Sequence, residues 1–291
     1  MNQPSRDSAP GPTPGIIAAT IELLGDDSTT LVAAARERLL RWGAIALPQL
    51  QEGAEAEALR VRTRCRALLR TFEQRDALRR FARLRLGRTG RSAAAPLLEG
   101  ALLLAKMVRT FVPDTAQVSA TLRAEANQVR LACAGRSLPT CARVLGERLH
   151  DGFGLRGGAA AGELDHVLID RVLLGRVGVP VTLSLVYLLV ARLAGLSVTG
   201  VAMPDHFLVR LHGVRPVLLD PFHAGRTITK IDCARYLRAS GHPQVRDHLR
   251  DLTDREVLIH YLRCLHAAAS ERVVPETAQT LGHALALLET T

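Results

Sequence analysis

The segment from Gly178 to Phe222 constrains the fold more than any other part of this chain. It reads GVPVTLSLVYLLVARLAGLSVTGVAMPDHFLVRLHGVRPVLLDPF. Val181, Leu183, Leu185, Val186, Leu188, Leu189, Val190 and Leu193 occupy every face of a helix opened by Pro180. A helix apolar all round must be enclosed on most sides. Pro is accommodated at the first helical position, and Gly195 is placed to end the helix. Three short runs then read as strands: Leu196–Ala202, His206–His212 and Val217–Asp220. A hairpin turning at Gly213–Pro216 would set His206 opposite Asp220. Their even offset puts both side chains on one face of a sheet.

A His oriented by an Asp beside a helix N-terminus is the frame of a thiol-dependent acyl-transfer site. No cysteine stands in that segment. The five cysteines, Cys65, Cys133, Cys141, Cys233 and Cys264, have no CxxC spacing and an odd count. Neither a disulfide framework nor a metal site is suggested by them, and no cofactor is expected. Cys233 reads as a small buried apolar residue.

Charge invites a different reading. The chain carries a formal +10, but only Lys106 and Lys230 are lysines. The positive charge is almost wholly arginine in an Ala- and Gly-rich chain, spread over helices without interleaved aromatics, so nucleic-acid binding is not expected. The start, MNQPSRDSAPGPTPG, lacks the basic and apolar parts of a signal peptide. The apolar run Val177–Val190 is shorter than the ~20 residues of a membrane span. A cytoplasmic protein with no membrane contact is the expectation.

Residues 1–14 read as a disordered tail. Residues 15–90 read as helical, with Ser28 capping a helix over 29–42, then arginine-rich helices over 59–72 and 73–86. Val32, Leu39, Leu40 and Arg41 recur as Val61, Leu68, Leu69 and Arg70, a weak repeat that resembles the HEAT type. GRTGRSAAAP (87–96) reads as a linker, followed by helices over 96–111, 114–133 and 140–150. The glycine-rich stretch 151–162 lacks the spacing of a phosphate-binding loop. A helix over 163–175 precedes the central one, a short helix over 231–238 follows the strands, and 241–291 reads as a helix pair broken near Pro275.

The residues GVPVTLS, ARLAGL, PDHFLVR, LLDPF, GR and DC resemble the bacterial SirB-one family of transglutaminase-like proteins. That resemblance spans about residues 95–240, the core of a domain placed at 91–240. It implies an α+β fold, mostly helical, with a papain-related core of one buried helix packed on a small antiparallel sheet. It also implies helical surroundings, with 241–291 similar to a truncated tetratricopeptide tail. His166 stands where the family commonly has Asn. Aligned on the family's GxC segment, the nucleophilic Cys position falls on Pro180, while His206 and Asp220 fall on the other two catalytic positions.

Proline supplies no nucleophile. Thr182 lies about 3 Å further along the helix and about 200° around it, and Ser184 returns to the same face about 6 Å deeper. These two hydroxyls are the weak substitutes, Ser184 being better suited to a backbone carbonyl. His212 and His223 read as solvated turn residues, and Asp205 as a residue shaping the turn after Pro204. The leading expectation is a degenerate, non-catalytic scaffold that binds a protein or peptide. The alternative is an acyl-transfer or amide-hydrolysing enzyme in which His206 and Asp220 activate water or a hydroxyl.

Overall fold

A computed structural model describes residues 11–86, 93–109, 112–158, 163–242, 245–271 and 275–290. The chain divides into two compact units, Met1–Asp76 and Ala77–Thr291.

The first unit is helical. Thr13 caps α1 (Pro14–Glu22), so the helix begins at the last residue assigned to the tail; residues 1–10 lie outside the described residues. Ser28 caps α2 (Thr29–Trp42), and Gly43 ends it at a φ of 66°. α3 (Leu47–Gly53) follows, then α4 (Leu59–Ala82). Ile17, Leu24, Leu39, Leu50, Cys65 and Leu68 form the core. One correction concerns α4, which runs through what the sequence suggested were two helices. The stretch TFEQRD holds no Gly or Pro to break it, and the Thr71 hydroxyl donates to the Ala67 carbonyl at 3.1 Å without displacing the helix. The unit boundary falls inside this helix.

In the second unit, residues 87–92 of the expected linker lie outside the described residues, and Ala94 already begins α5 (Ala94–Val108). Residues 110 and 111 of that expected helix also lie outside. α6 (Thr115–Cys133) is capped by Asp114 and α7 (Leu138–Glu147) by Ser137. A π-turn over Arg148–Gly152 leads to β1 (Arg156–Gly157); residues 159–162 of the glycine-rich stretch lie outside the described residues.

The helix expected over 163–175 is two: α8 (Leu164–Val167) and α9 (Ile169–Gly175). Its break has a chemical cause. The Val167 carbonyl accepts the Thr182 hydroxyl at 2.8 Å, and the Ile169 amide donates to the Tyr261 hydroxyl at 3.1 Å. Side chains from two other elements thus satisfy backbone groups at the break. β2 (Val177–Gly178) pairs in parallel with β1.

α10 (Pro180–Leu193) is the enclosed central helix. Residues Val181 through Ala191 are all buried. One side meets a four-stranded antiparallel sheet in the order β3 (Val198–Met203), β4 (His206–Leu211), β5 (Val217–Asp220), β6 (Arg226–Ile228). Phe207, Val209, Leu211 and Leu219 point toward α10. The opposite face carries Leu208 and Leu218 into a smaller core with Cys233 and Leu237 of α11 (Lys230–Ala239). α12 (Val245–His248) follows. β6 was not legible as a strand; its side chains are largely exposed and offer no apolar alternation.

α13 (Asp254–Glu271) and α14 (Pro275–Thr290) form the C-terminal pair. Tyr261, Leu262 and Leu265 of α13 belong to the same apolar core as α10. The pair is therefore built into the second unit, not appended to it. Among the described residues, no helix is long and apolar enough to cross a membrane.

α13 starts with a reciprocal cap. The Thr253 amide donates to Glu256 at 2.8 Å, and the Glu256 amide donates to the Thr253 hydroxyl at 3.3 Å. Arg250 donates to the same carboxylate at 2.6 Å. That bond, with those from Thr253, holds Glu256 down at about 2 against the opposing effect of burial. A depressed folded-state value gives stability that is complete above the ordinary ~4.3 and lost as pH falls toward the folded value. The stability gap between wild type and Glu256→Gln, read by urea denaturation, is expected to narrow as pH falls from about 5 to about 2. A gap independent of pH in that range would contradict the cap's ionic character.

Candidate functional site

α10 sets one wall of the site. Val179, extended at φ −78° and ψ 163°, precedes Pro180 at the first helical position. No side chain caps this end. The helix start is held instead by the Val179 amide, which donates to the His166 carbonyl at 3.0 Å.

The β3–β4 hairpin sets the second wall. Met203 pairs with His206, so Pro204 and Asp205 are its two turn residues. Pro fixes the first at a negative φ, and Asp205 sits at a φ of 54°, the φ pattern of a type II turn. Asp205 therefore does shape the turn, in a conformation L-residues seldom adopt. The Tyr236 hydroxyl donates to the Pro204 carbonyl at 3.2 Å.

His206 stands first on β4, and its Nε2 lies 3.0 Å from Asp220 Oδ2. The route to this contact differs from the expected one. Observed pairs are Leu211–Val217, Arg210–Leu218 and Val209–Leu219. In that register Asp220 falls opposite Leu208, and His206 meets it diagonally. The register differs by two residues, which keeps both side chains on one face.

His223 is a second correction. It is no free turn residue: its amide donates to Asp220 Oδ1 at 3.1 Å, and its Nδ1 lies 2.8 Å from Oδ2. Asp220 is 1% exposed and gathers both imidazoles. Burial alone would raise its carboxyl, but the hydrogen bonds and charge of His206 and the bonds from His223 leave it below the ordinary carboxylate value. Phe222 packs edge-on against His206, with ring centroids 6.1 Å apart. His212 is also engaged, its Nε2 2.8 Å from the Thr199 hydroxyl, on a different part of the sheet.

Both candidate hydroxyls are committed elsewhere. The Thr182 hydroxyl donates to the Val167 carbonyl and the Ser184 hydroxyl to the Phe207 carbonyl, each at 2.8 Å. Both residues are fully buried. They tie α10 to α8 and β4, and neither is hydrogen-bonded to His206. Cys233 is buried under the sheet, its thiol pushed up by burial.

A cavity of about 470 Å³ opens between these walls. Pro180, Val181 and Val179 line it beside Met203, Asp205, His206 and Phe207. Its third wall is α13, through His260, Cys264, Ala267, Ala268 and Glu271. His260 packs edge-on against Phe207, centroids 5.8 Å apart. Burial, then the neighbouring Arg263, holds the His260 imidazole below its ordinary value, and burial pushes the Cys264 thiol up. Sequence reasoning stopped the site at residue 240 and missed this wall. The signal was the spacing of His260, Cys264, Ala268 and Glu271, which falls on one helical face.

His206 therefore has one nitrogen held and the other free. Nε2 faces the Asp220 carboxylate and donates to it; in a neutral ring Nδ1 is then the acceptor. Nδ1 has no hydrogen-bond partner among the described residues. Chemically, the arrangement provides an imidazole oriented by a carboxylate beside a cavity, with no thiol or available hydroxyl at the start of α10; the thiol of Cys264 stands on the α13 wall.

Two curated relatives, both described only as UPF0162 protein, come from Xylella fastidiosa. The one from strain 9a5c is 32% identical over 106 residues, covering 34% of this chain and 38% of that protein. The one from strain Temecula1 is 32% identical over 110 residues, with the same coverage. The match thus spans under two-fifths of either relative's length. No solved structure is significantly similar to the chain. Residues 116–263, half of the sequence and all three walls up to His260, match the family described as Transglutaminase-like superfamily, and the chain belongs to that superfamily.

Proposed function

We propose that this is a degenerate transglutaminase-like domain of the SirB-one type, without thiol acyl transfer, that binds a protein or peptide segment. One observation carries the reading: Pro180 lines the cavity together with His206, on the helix start where a nucleophilic thiol would stand. Proline has neither a nucleophile nor the amide that would help polarise a carbonyl. The cavity nevertheless persists, with an apolar lining that includes Val179, Val181, Met203 and Phe207 and polar groups at Asp205, His206 and Glu271. That mixture suits an extended peptide placing one apolar side chain inside. The helices of the first unit, read as HEAT-like, and the C-terminal pair, read as tetratricopeptide-like, are each of a kind that offers surface to protein partners. A cytoplasmic setting belongs to the same proposal.

A second reading is favoured by the unpartnered His206 Nδ1, which could take a proton from water attacking a bound amide. The two part experimentally. Peptides selected from a random library should bind the wild type and lose at least about tenfold affinity, ~1.4 kcal/mol, in Ala267→Phe, which fills the cavity from an exposed helix position. Mass spectrometry of the same peptides should show no cleavage or deamidation. Binding unaffected by Ala267→Phe would defeat the cavity assignment. Turnover that vanishes in folded His206→Ala would replace the scaffold reading with the hydrolytic one.

A further inference from the structure

We propose that His206, Asp220 and His223 form a binding site for a divalent cation of the zinc class. Their donor atoms, His206 Nε2, Asp220 Oδ2 and His223 Nδ1, all lie within 4.8 Å of one another. The two nitrogens are 3.0 and 2.8 Å from the shared oxygen. A tetrahedral zinc with bonds of ~2.0–2.1 Å holds its ligand atoms ~3.3 Å apart, so a small outward movement of the rings admits the ion. Two imidazoles and one carboxylate suit zinc, cobalt or nickel and not magnesium or calcium, which take oxygen shells.

The burial pattern is that of a built site open on one side. Asp220 is buried and its other oxygen is held by the His223 amide, which fixes the direction of the ligating oxygen. His223 is half-exposed and supplies an entry path with room for water as the remaining ligand. Arg226 is the opposing charge, its Nε 3.9 Å from Asp220 Oδ2. Its side chain is 62% exposed and free to move into solvent.

Loading the site would alter the cavity, a consequence that rests on the function proposed above. An imidazole that ligates through Nε2 carries its proton on Nδ1. His206 would then present a donor to the cavity in place of an acceptor. For two neutral rings the balance closes without net proton exchange: the proton on each ligating nitrogen moves to the ring's other nitrogen, Nδ1 of His206 and Nε2 of His223. The cation would thus silence any base role of His206 and favour a carbonyl-bearing ligand.

The test is a titration of the full chain with Zn²⁺ in competition with a chromogenic chelator, and with Co²⁺ read by visible absorption. One saturable equivalent is expected, with a Co²⁺ spectrum free of intense thiolate charge-transfer bands. His223→Ala and His223→Gln, each confirmed as folded by circular dichroism, are expected to weaken binding by at least about tenfold, since losing a ligand costs no less than losing its outer-shell partner. His242→Ala, at the His242–His248 ring pair, should leave it unchanged. No saturable binding, binding indifferent to both His223 variants, or a thiolate spectrum would overturn the proposal. None of these outcomes depends on whether a peptide binds the cavity.

Discussion

Asp254→Ala is expected to destabilise the second unit by about 3–5 kcal/mol. Arg192 ends α10 and Asp254 begins α13, with Nη2 2.7 Å from Oδ1. Their side chains are only 4% and 0% exposed. Each charge sits at the helix end that favours it, the cation at a C-terminus and the anion at an N-terminus. The pair is enclosed but sparsely served. Arg192 Nε and Nη1 and Asp254 Oδ2 are buried without protein partners. Removing one member strands the other charge in an apolar setting, and that desolvation outweighs the lost attraction. The double variant Arg192→Met/Asp254→Leu, which strands nothing, should therefore recover most of the loss. Chemical denaturation followed by circular dichroism measures both. The single tryptophan, Trp42, lies in the first unit and would report on the wrong transition. A single variant within about 1 kcal/mol of wild type would show that water reaches the pair.

The second large effect is expected at Gly225. This residue has a φ of 66°, and a Cβ there would lie 2.6 Å from the Gly146 Cα and 2.6 Å from the Tyr187 hydroxyl. From the other side, a Cβ on Gly146 would lie 2.7 Å from the Gly225 carbonyl oxygen. Here α7 and the turn after β5 meet backbone to backbone, and the Tyr187 side chain beside them is fully buried. Gly225→Ala combines left-handed strain with that collision, and a loss of about 3 kcal/mol or more is expected. The same turn carries His223, and the Gly225 amide donates to the Asp220 carbonyl at 2.8 Å. The variant should therefore also disturb the imidazole resonances of His206 and His223 in NMR spectra. Wild-type stability together with unshifted resonances would mean the turn is not held by this contact.

The central helix could be read from sequence because its apolar residues have no polar face to mislead, and Pro180 and Gly195 mark its ends. The His206–Asp220 contact was legible through parity alone, since an even offset survives a register change of two. Loop length was not legible: Leu211 pairs with Val217, leaving five residues between them where a tighter turn was expected. His223 escaped because its approach to Asp220 depends on a turn with two successive left-handed residues, Ala224 and Gly225. The α13 wall escaped for another reason. Helical spacing shows that His260 and Cys264 share a face, but only tertiary packing shows what that face meets. The break between α8 and α9 lies in the same class, since Tyr261 and Thr182 act on it from distant positions.

The measurement that tests the account most directly is the alkylation of Pro180→Cys by iodoacetamide across pH, in the presence and absence of His206→Ala. The parent carries Cys264→Ser, because Cys264 lines the same cavity; the remaining background is low, since Cys65, Cys141 and Cys233 are buried, and burial pushes Cys65 up to about 11 and Cys133 up to about 12. If Pro180 stands where a nucleophilic thiol belongs, the new thiol lies at a helix N-terminus in a cavity shared with His206. Its reaction should then titrate below ~7.5, and removing His206 should move the midpoint up toward the ordinary ~8.5. A thiol that titrates at or above ~8.5 whether or not His206 is present would contradict the placement of Pro180 at a vacated nucleophile position, and with it the reading of this domain as a transglutaminase-like site that lost its thiol.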